Sequence, residues 1–370
     1  MSAAPAFADR ATEAAVGRSA RRLAPGAVRL APSAAPALVA WYTVAGPEEA
    51  TGPLGHAFDE RVPDYAWGES SFERTERKFL RHATQGVLAR AGWTPEEVDL
   101  HLGGDLLDEI TTHNFVAREL GIPFVGMFSA CATGGGVLAM GALAVAAGAA
   151  ERLLCSVSSH YYTAERQYRY PVELGVERLA TNQRTATGAA AFLLAPAPPG
   201  GGEAIRVTAV TWGRVRDLGV KDPNNMGAAE GPAAADTLLR HFSRPDAVPE
   251  DYDLVLTGDL ARVGLPLARR LCREGGLDLG ERWQDAGVLL YAPDQPVQAG
   301  GSGAACCALV LAGHVLTAMA RGELGRVLFV ATGSLHSKTT YQQGDVLPVV
   351  AHAVELEGPA ARPRRGGEEA

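Results

Sequence analysis

The chain has 370 residues, with 34 Lys and Arg against 42 Asp and Glu, a formal net charge of −8 and an apolar content of 47%. At roughly 150 residues per domain that suffices for two or three domains or one large duplicated one, and it excludes a disordered chain or a small disulfide scaffold. The negative balance also argues against a general nucleic-acid binder, whose phosphate-facing surface needs a positive excess.

Five cysteines, at positions 131, 155, 272, 306 and 307, make no CxxC pair and no metal-ligand spacing. With no secretory signal ahead of them, the expectation is a reducing location on the cytoplasmic side, with no cofactor and no metal site. The longest apolar run, residues 137–150, falls short of the about twenty residues a bilayer span needs and is built from Ala and Gly. It predicts a buried helix rather than a transmembrane segment.

In chain order, residues 1–37 are rich in Ala, Pro and Arg and predict an N-terminal extension without apolar periodicity. Residues 38–44 predict a first strand. Ser70 and Glu73 suggest a capping box for a helix that Gly92 should stop. Strands are predicted at 98–104, 124–130, 152–159 and 189–194, with helices at 114–120 and 132–148. The breaker-rich segment 195–203, APAPPGGGE, is the expected connector between halves 38–198 and 199–357. The second half predicts strands at 205–215, 252–257, 287–291, 326–332 and 348–356, and helices at 232–242, 266–274 and 304–321. Residues 358–370 predict a flexible tail.

The order of elements repeats, and so do residues. EEVDLHLGGDL at 96–106 matches EDYDLVLTGDL at 250–260, with Asp99 and Asp253, and Asp105 and Asp259, in register; AGAAERLLCS at 147–156 matches RGELGRVLFV at 321–330. Each half of such an α/β repeat exposes a sheet face that its twin can cover, so two stacked sheets sharing buried helices are expected.

Residues 128–136 read FSACATGGG. A strand ending in small residues, then Cys131, then a Gly-rich helix start predicts a thiol at a helix N-terminus, where backbone N–H groups favour the thiolate. In this context the sequence resembles the thiolase-like condensing enzymes, which include thiolases and β-ketoacyl synthase III. The resemblance implies an α/β, five-layer αβαβα fold with two pseudo-duplicated halves and Cys131 at the acyl-thioester position. The segment resembling the synthases' histidine motif, LTGDLAR at 256–262, has Thr257 where the histidine would stand. At 300–307, GGSGAACC has Ser302 where the asparagine would stand. Without those partners the fold is expected to be retained for binding, with an active acyltransferase or ketosynthase using Cys131 as the alternative.

Further strings spread over residues 38–357 are more specific: TGPLGHAFDE, SSHYYTAERQYRYPVE, GRVRDLG, MGAAEGPAAADT and YAPDQ. On these the chain is similar to the stage V sporulation protein AD family. That resemblance implies binding of dipicolinic acid (pyridine-2,6-dicarboxylate) for uptake into the developing spore, with calcium as an open companion. It also implies membrane channel subunits of the same sporulation operon as partners, a homodimer, and a peripheral place on the cytoplasmic side of the forespore inner membrane.

A planar dicarboxylate calls for guanidinium or imidazolium donors and apolar walls. His160, Arg166 and Arg169, interleaved with Tyr161, Tyr162, Tyr168 and Tyr170, form the expected anion mouth beside Cys131 and Ser302. A dimer-contact loop whose arginines pair with Glu165 and Glu173 is the alternative reading. His352 is the candidate for a surviving base, because the last strand borders the pocket in this fold. Cys306 and Cys307 read as packed core residues, His314 and His336 as structural histidines, and His113 and Asn114 as residues of a dimer loop or a helix cap.

Overall fold

The structure, a computed structural model, describes residues 19–198 and 203–365. Its first-half strands are β1 (Ala20–Ala24), β2 (Ala27–Leu30), β3 (Ala37–Ala45), β4 (Glu60–Arg61), β5 (Leu100–Gly104), β6 (Phe124–Gly126), β7 (Leu153–Ser159), β8 (Gln183–Thr185) and β9 (Gly188–Ala195). Those of the second half are β10 (Ile205–Thr211), β11 (Leu254–Thr257), β12 (Trp283–Asp285), β13 (Gly300–Ser302), β14 (Arg326–Ser334) and β15 (Val349–Glu357).

The repeat read from the residues is a repeat of topology. The main sheet path runs β12-β11-β14-β15-β10-β3-β9-β7-β5-β6. From its middle outward, each half makes two antiparallel pairings followed by two parallel ones, β3-β9-β7-β5-β6 on one side and β10-β15-β14-β11-β12 on the other. The aspartates in register do the same work twice. Asp99 accepts the backbone N–H groups of Glu151 and Arg152 at 2.8 Å each, and Asp253 accepts those of Gly325 and Arg326 at 2.7 and 3.0 Å. Each carboxylate thereby ties the start of one parallel strand to the turn entering its neighbour.

The layers implied by the resemblance are present, but the two sheets expected from the duplication are joined into one by the pairing of β10 with β3. Helices Phe72–Ala91 and Thr111–Leu120 cover one outer face, and Met226–Phe242 and Ala261–Glu274 the other. Between the sheet halves lie Thr133–Ala146 and Ala304–Leu309, the latter continued by a π-helical stretch, Val310–Leu316. A helix packed on most of its sides must be largely apolar, and Thr133–Ala146 has only Met140 exposed. Its small residues set how closely the halves approach: a Cβ on Gly135 would sit 2.8 Å from the Ala331 Cβ, and one on Gly141 2.9 Å from the Cys155 sulfur. Among the described residues no helix is long and apolar enough to cross a membrane.

Several expected boundaries differ. The long first helix is capped by Ser71, whose side chain accepts the Arg74 N–H, rather than by Ser70; Gly92 ends it in the left-handed region, as expected. Residues 286–289 are a helical turn, Ala286–Leu289, and not a strand, since a short apolar run carries no period that separates the two. The helices expected to begin at Pro232 and Pro266 begin at Met226 and Ala261 instead. Both prolines look like first-turn residues. Packing overrides them, because Gly227 meets Gly264 where the two helices cross, at a separation no Cβ would fit. Part of the expected N-terminal extension is ordered as well: β1 and β2 form a hairpin whose second strand pairs with β10. At the other end Arg364 and Arg29 both pair with the buried Glu355. The connector falls partly on residues 199–202, and the tail partly on 366–370, outside the described residues.

Replacing Gly135 by Val forces apart Ala331 and the His352 carbonyl, which lie on two paired strands and cannot yield independently. The expected loss is about 1–3 kcal/mol or more, measured by urea unfolding against a surface Gly→Ala control.

Candidate functional site

Cys131 sits in a tight turn, Ala130–Ala132, between β6 and the central helix Thr133–Ala146. The turn is strained, with Ala130 at φ +51°. Thr133 locks it by donating to the Ala130 carbonyl at 2.6 Å and accepting the Ser129 N–H at 3.0 Å. The second half closes over it: a Cβ on Gly333 of β14 would lie 2.6 Å from the Ala132 nitrogen and 3.0 Å from that of Cys131.

The sulfur lies 3.7 Å from the Ser302 hydroxyl at the end of β13. Ser302 in turn donates to Asp259 at 3.2 Å, and Asp259 also accepts the Gly303 N–H and the Thr332 hydroxyl. Asp259, not Thr257, is therefore the residue its segment turns toward the sulfur. Thr257 is occupied elsewhere, donating to Asp285 at 2.7 Å and accepting from the Trp283 indole. Behind Asp259 stands Glu230, fully buried, with both carboxylate oxygens unpartnered among the described residues.

This environment reverses the electrostatics read from the sequence. Burial, followed by the charges of Asp259 and Glu230, pushes the Cys131 thiol well above its ordinary range. The helix start cannot offset that, because desolvation and adjacent carboxylates both penalise a thiolate. Glu230 is likewise pushed well up, by burial and then by Asp259.

Three of the six candidate residues are brought together. Cys131, Ser302 and Arg169 line one narrow chamber with Tyr168, Ser334 and His336, which leaves about 20 Å³ for solvent, the room of one water. The other three lie elsewhere. His160 caps helix Tyr161–Tyr168: its Nδ1 accepts the Tyr162 N–H, its Nε2 donates to the Tyr65 carbonyl at 2.9 Å, and its ring packs on Phe72. Both nitrogens are used, so it is not a ligand donor. Arg166 pairs with Glu73 on the surface. His352 packs against Trp212 and the far side of the central helix, with its Nδ1 accepting the Gly213 N–H at 3.2 Å. The imidazole bordering the chamber is His336, which resembled any other structural histidine in the sequence.

Arg169 also lines a second, larger cavity of about 530 Å³, beside Tyr161, Arg178, Asn182, Arg184 and Asn224. Glu165 bridges Arg169 at 2.9 Å and Arg178 at 3.1 Å. Arg184 differs from both. It is 8% exposed, its guanidinium lies 3.8 Å over the Tyr161 ring, it donates to the Tyr65 hydroxyl, and its Nε finds no partner among the described residues. Arg184 closes the stretch, His160 to Arg184, expected to supply the donors, but nothing in TNQRTATG singles it out, since its role depends on loops 170–182 and 213–225 meeting over it. The Asn182–Asn224 hydrogen bond at 2.9 Å and the Arg169 bond to the Pro223 carbonyl at 3.0 Å hold those loops together.

A family model described as Stage V sporulation protein AD (SpoVAD) matches residues 27–357. The chain belongs to that family. Stage V sporulation protein AD of Bacillus subtilis (strain 168) is 44% identical over 315 residues, 85% of this chain and 92% of that protein. Solved structures carry the fold at lower identity. Cerulenin-bound OleA of Xanthomonas campestris is 14% identical with a TM-score of 0.57, covering 89% of this chain and 100% of that one. 3-Oxoacyl-[acyl-carrier-protein] synthase III from Aquifex aeolicus VF5 is 13% identical with a TM-score of 0.53, covering 87% and 99%. The fold is thus the thiolase-like one of condensing enzymes, in a member of a sporulation family.

The depression of His352, held near 4 by burial, has a consequence for stability. The unfolded imidazole titrates near 6.5, so its stabilising contribution is complete above about pH 6.5 and is lost as pH falls toward 4. Unfolding of wild type and His352→Gln at pH 7 and pH 5 should show wild type losing about 1–2 kcal/mol more between the two.

Proposed function

We propose that this member of the stage V sporulation protein AD family is a non-catalytic binding protein for dipicolinic acid, serving its uptake into the developing spore. The observation that carries the reading is Arg184: a buried guanidinium with an unpartnered donor and no carboxylate partner among the described ion pairs, facing a cavity large enough for a small aromatic ligand. A cation in that state gains most from an anion, and its fork matches a carboxylate. Arg178 and Arg169 supply further positive charge, and Tyr161 and Tyr170 supply aromatic walls. Calcium enters only as a companion of the dianion. Among the described residues no group of three or more His, Cys, Asp or Glu side chains could hold a metal ion.

The proposal extends to membrane channel subunits of the same operon as partners and to a peripheral place at the forespore inner membrane, which the family membership supports. A homodimer is proposed on the same ground. The end of the sheet at β6, where Val125 and Phe128 are half exposed, is the face it would cover.

Calorimetric titration with dipicolinate tests the binding site. Wild type is expected to bind, Arg184→Met to lose at least tenfold in affinity, and Arg166→Ala, on the surface, to match wild type. Equal affinities for wild type and Arg184→Met would remove the arginine cavity as the site.

A second reading, acyl transfer through Cys131, is favoured by the strained turn that presents the sulfur and by the fold. It requires a thiolate in surroundings that oppose one. After incubation with acyl-CoA of several chain lengths, intact mass is expected to show no thioester; an adduct on wild type that is absent from Cys131→Ala would establish the second reading instead.

A further inference from the structure

The narrow chamber at Cys131 shares Arg169 with the arginine cavity, so the two are neighbours across one side chain. Its most distinctive group is His336. The ring is 6% exposed, Nδ1 lies 2.8 Å from the Ser334 hydroxyl, and the buried Nε2 finds no partner among the described residues. A buried imidazole nitrogen left unpaired is costly, so a position that retains one is poised for a partner from outside the chain. Tyr168 and Tyr341 wall the ring, with centroids at 5.4 and 6.0 Å, and the Tyr341 hydroxyl donates to the Tyr168 carbonyl at 2.7 Å, which fixes the ring's orientation.

We infer that His336 is a specificity-determining residue of the ligand site: its Nε2–H donates a hydrogen bond to the carboxylate of the bound dianion that lies farther from Arg184. The inference rests on the proposed dicarboxylate reading and adds a second anchoring point to it. The Ser334 hydroxyl is the partner of Nδ1. When that hydroxyl donates to Nδ1, the ring proton resides on Nε2, the nitrogen without a partner among the described residues. Burial and the adjacent Arg169 hold the ring's pKa down to about 4, so it is a neutral donor at physiological pH. Asp259 lies behind Ser302, which donates a hydrogen bond to it, with Glu230 beside it. Neighbouring Met226 and Tyr168 must yield room, because the chamber as it stands accommodates only one water.

The test is calorimetry of wild type, His336→Ala and His336→Gln with pyridine-2,6-dicarboxylate and with the monoacid pyridine-2-carboxylate. Isotope-edited NMR of the imidazole nitrogens accompanies it. Removing the donor should weaken dicarboxylate binding about tenfold while leaving the monoacid unchanged, and Gln, which restores an N–H near the Nε2 position, should recover part of the loss. The His336 Nε2 resonance of wild type should shift on dicarboxylate addition and not on monoacid addition, a change that a purely packing role would not produce. Unchanged discrimination in His336→Ala, or an unmoved Nε2 resonance in saturated wild type, overturns the inference while the dicarboxylate reading stands. Absence of dicarboxylate binding to wild type overturns both.

Discussion

Everything in this molecule depends on two sheet halves closing onto one apolar helix that has almost no side chains to spare. Gly135 and Gly141 let β7 and β14 come to within a methyl group of the helix backbone, and that proximity carries the end of β14 onto the turn holding Cys131. The site is therefore assembled from both halves at once. The first contributes the sulfur and Arg169, and the second contributes Ser302, Asp259, Ser334 and His336. Any change that widens the central layer separates these groups before it exposes the core.

The same closeness sets the chemistry. A thiol at a helix start is ordinarily favoured as a thiolate, yet here the second half brings Asp259 to one hydrogen bond beyond Ser302 and leaves Glu230 buried behind it. Desolvation and neighbouring negative charge then oppose ionisation together. The positive charge has been gathered instead on the other side of Arg169, where Arg178 and Arg184 share one tyrosine ring. Arg184 keeps a donor without a partner among the described residues on that side.

Duplication also explains which features appear twice and which do not. Asp99 and Asp253 perform identical backbone ties, because the strand-entry geometry they serve is common to both halves. Asp105 and Asp259, equally in register, have diverged: Asp105 accepts from His113 and the Leu107 and His113 N–H groups in a closed outer layer, whereas Asp259 faces the chamber. Sequence symmetry preserved the scaffold, and the asymmetry of what each strand end faces produced the site.

By itself the amino-acid sequence determined the fold class, the two-fold repeat, the buried character of the central helix, the helix-start position of Cys131 and the family. All of these follow from local period, small-residue runs and matching strings, which are properties of neighbours along the chain. It also singled out Arg169 and Ser302, which line the chamber beside Cys131. What only tertiary structure decided was which imidazole and which guanidinium reach the cavities. His160 is spent on capping a helix and His352 is turned behind the central helix, while Arg184 and His336 line the cavities because segments distant along the chain converge there. Whether the thiol ionises was beyond the sequence for the same reason: the charge a buried group feels is set by residues near it in space, and those nearest Cys131 come from the other half of the chain.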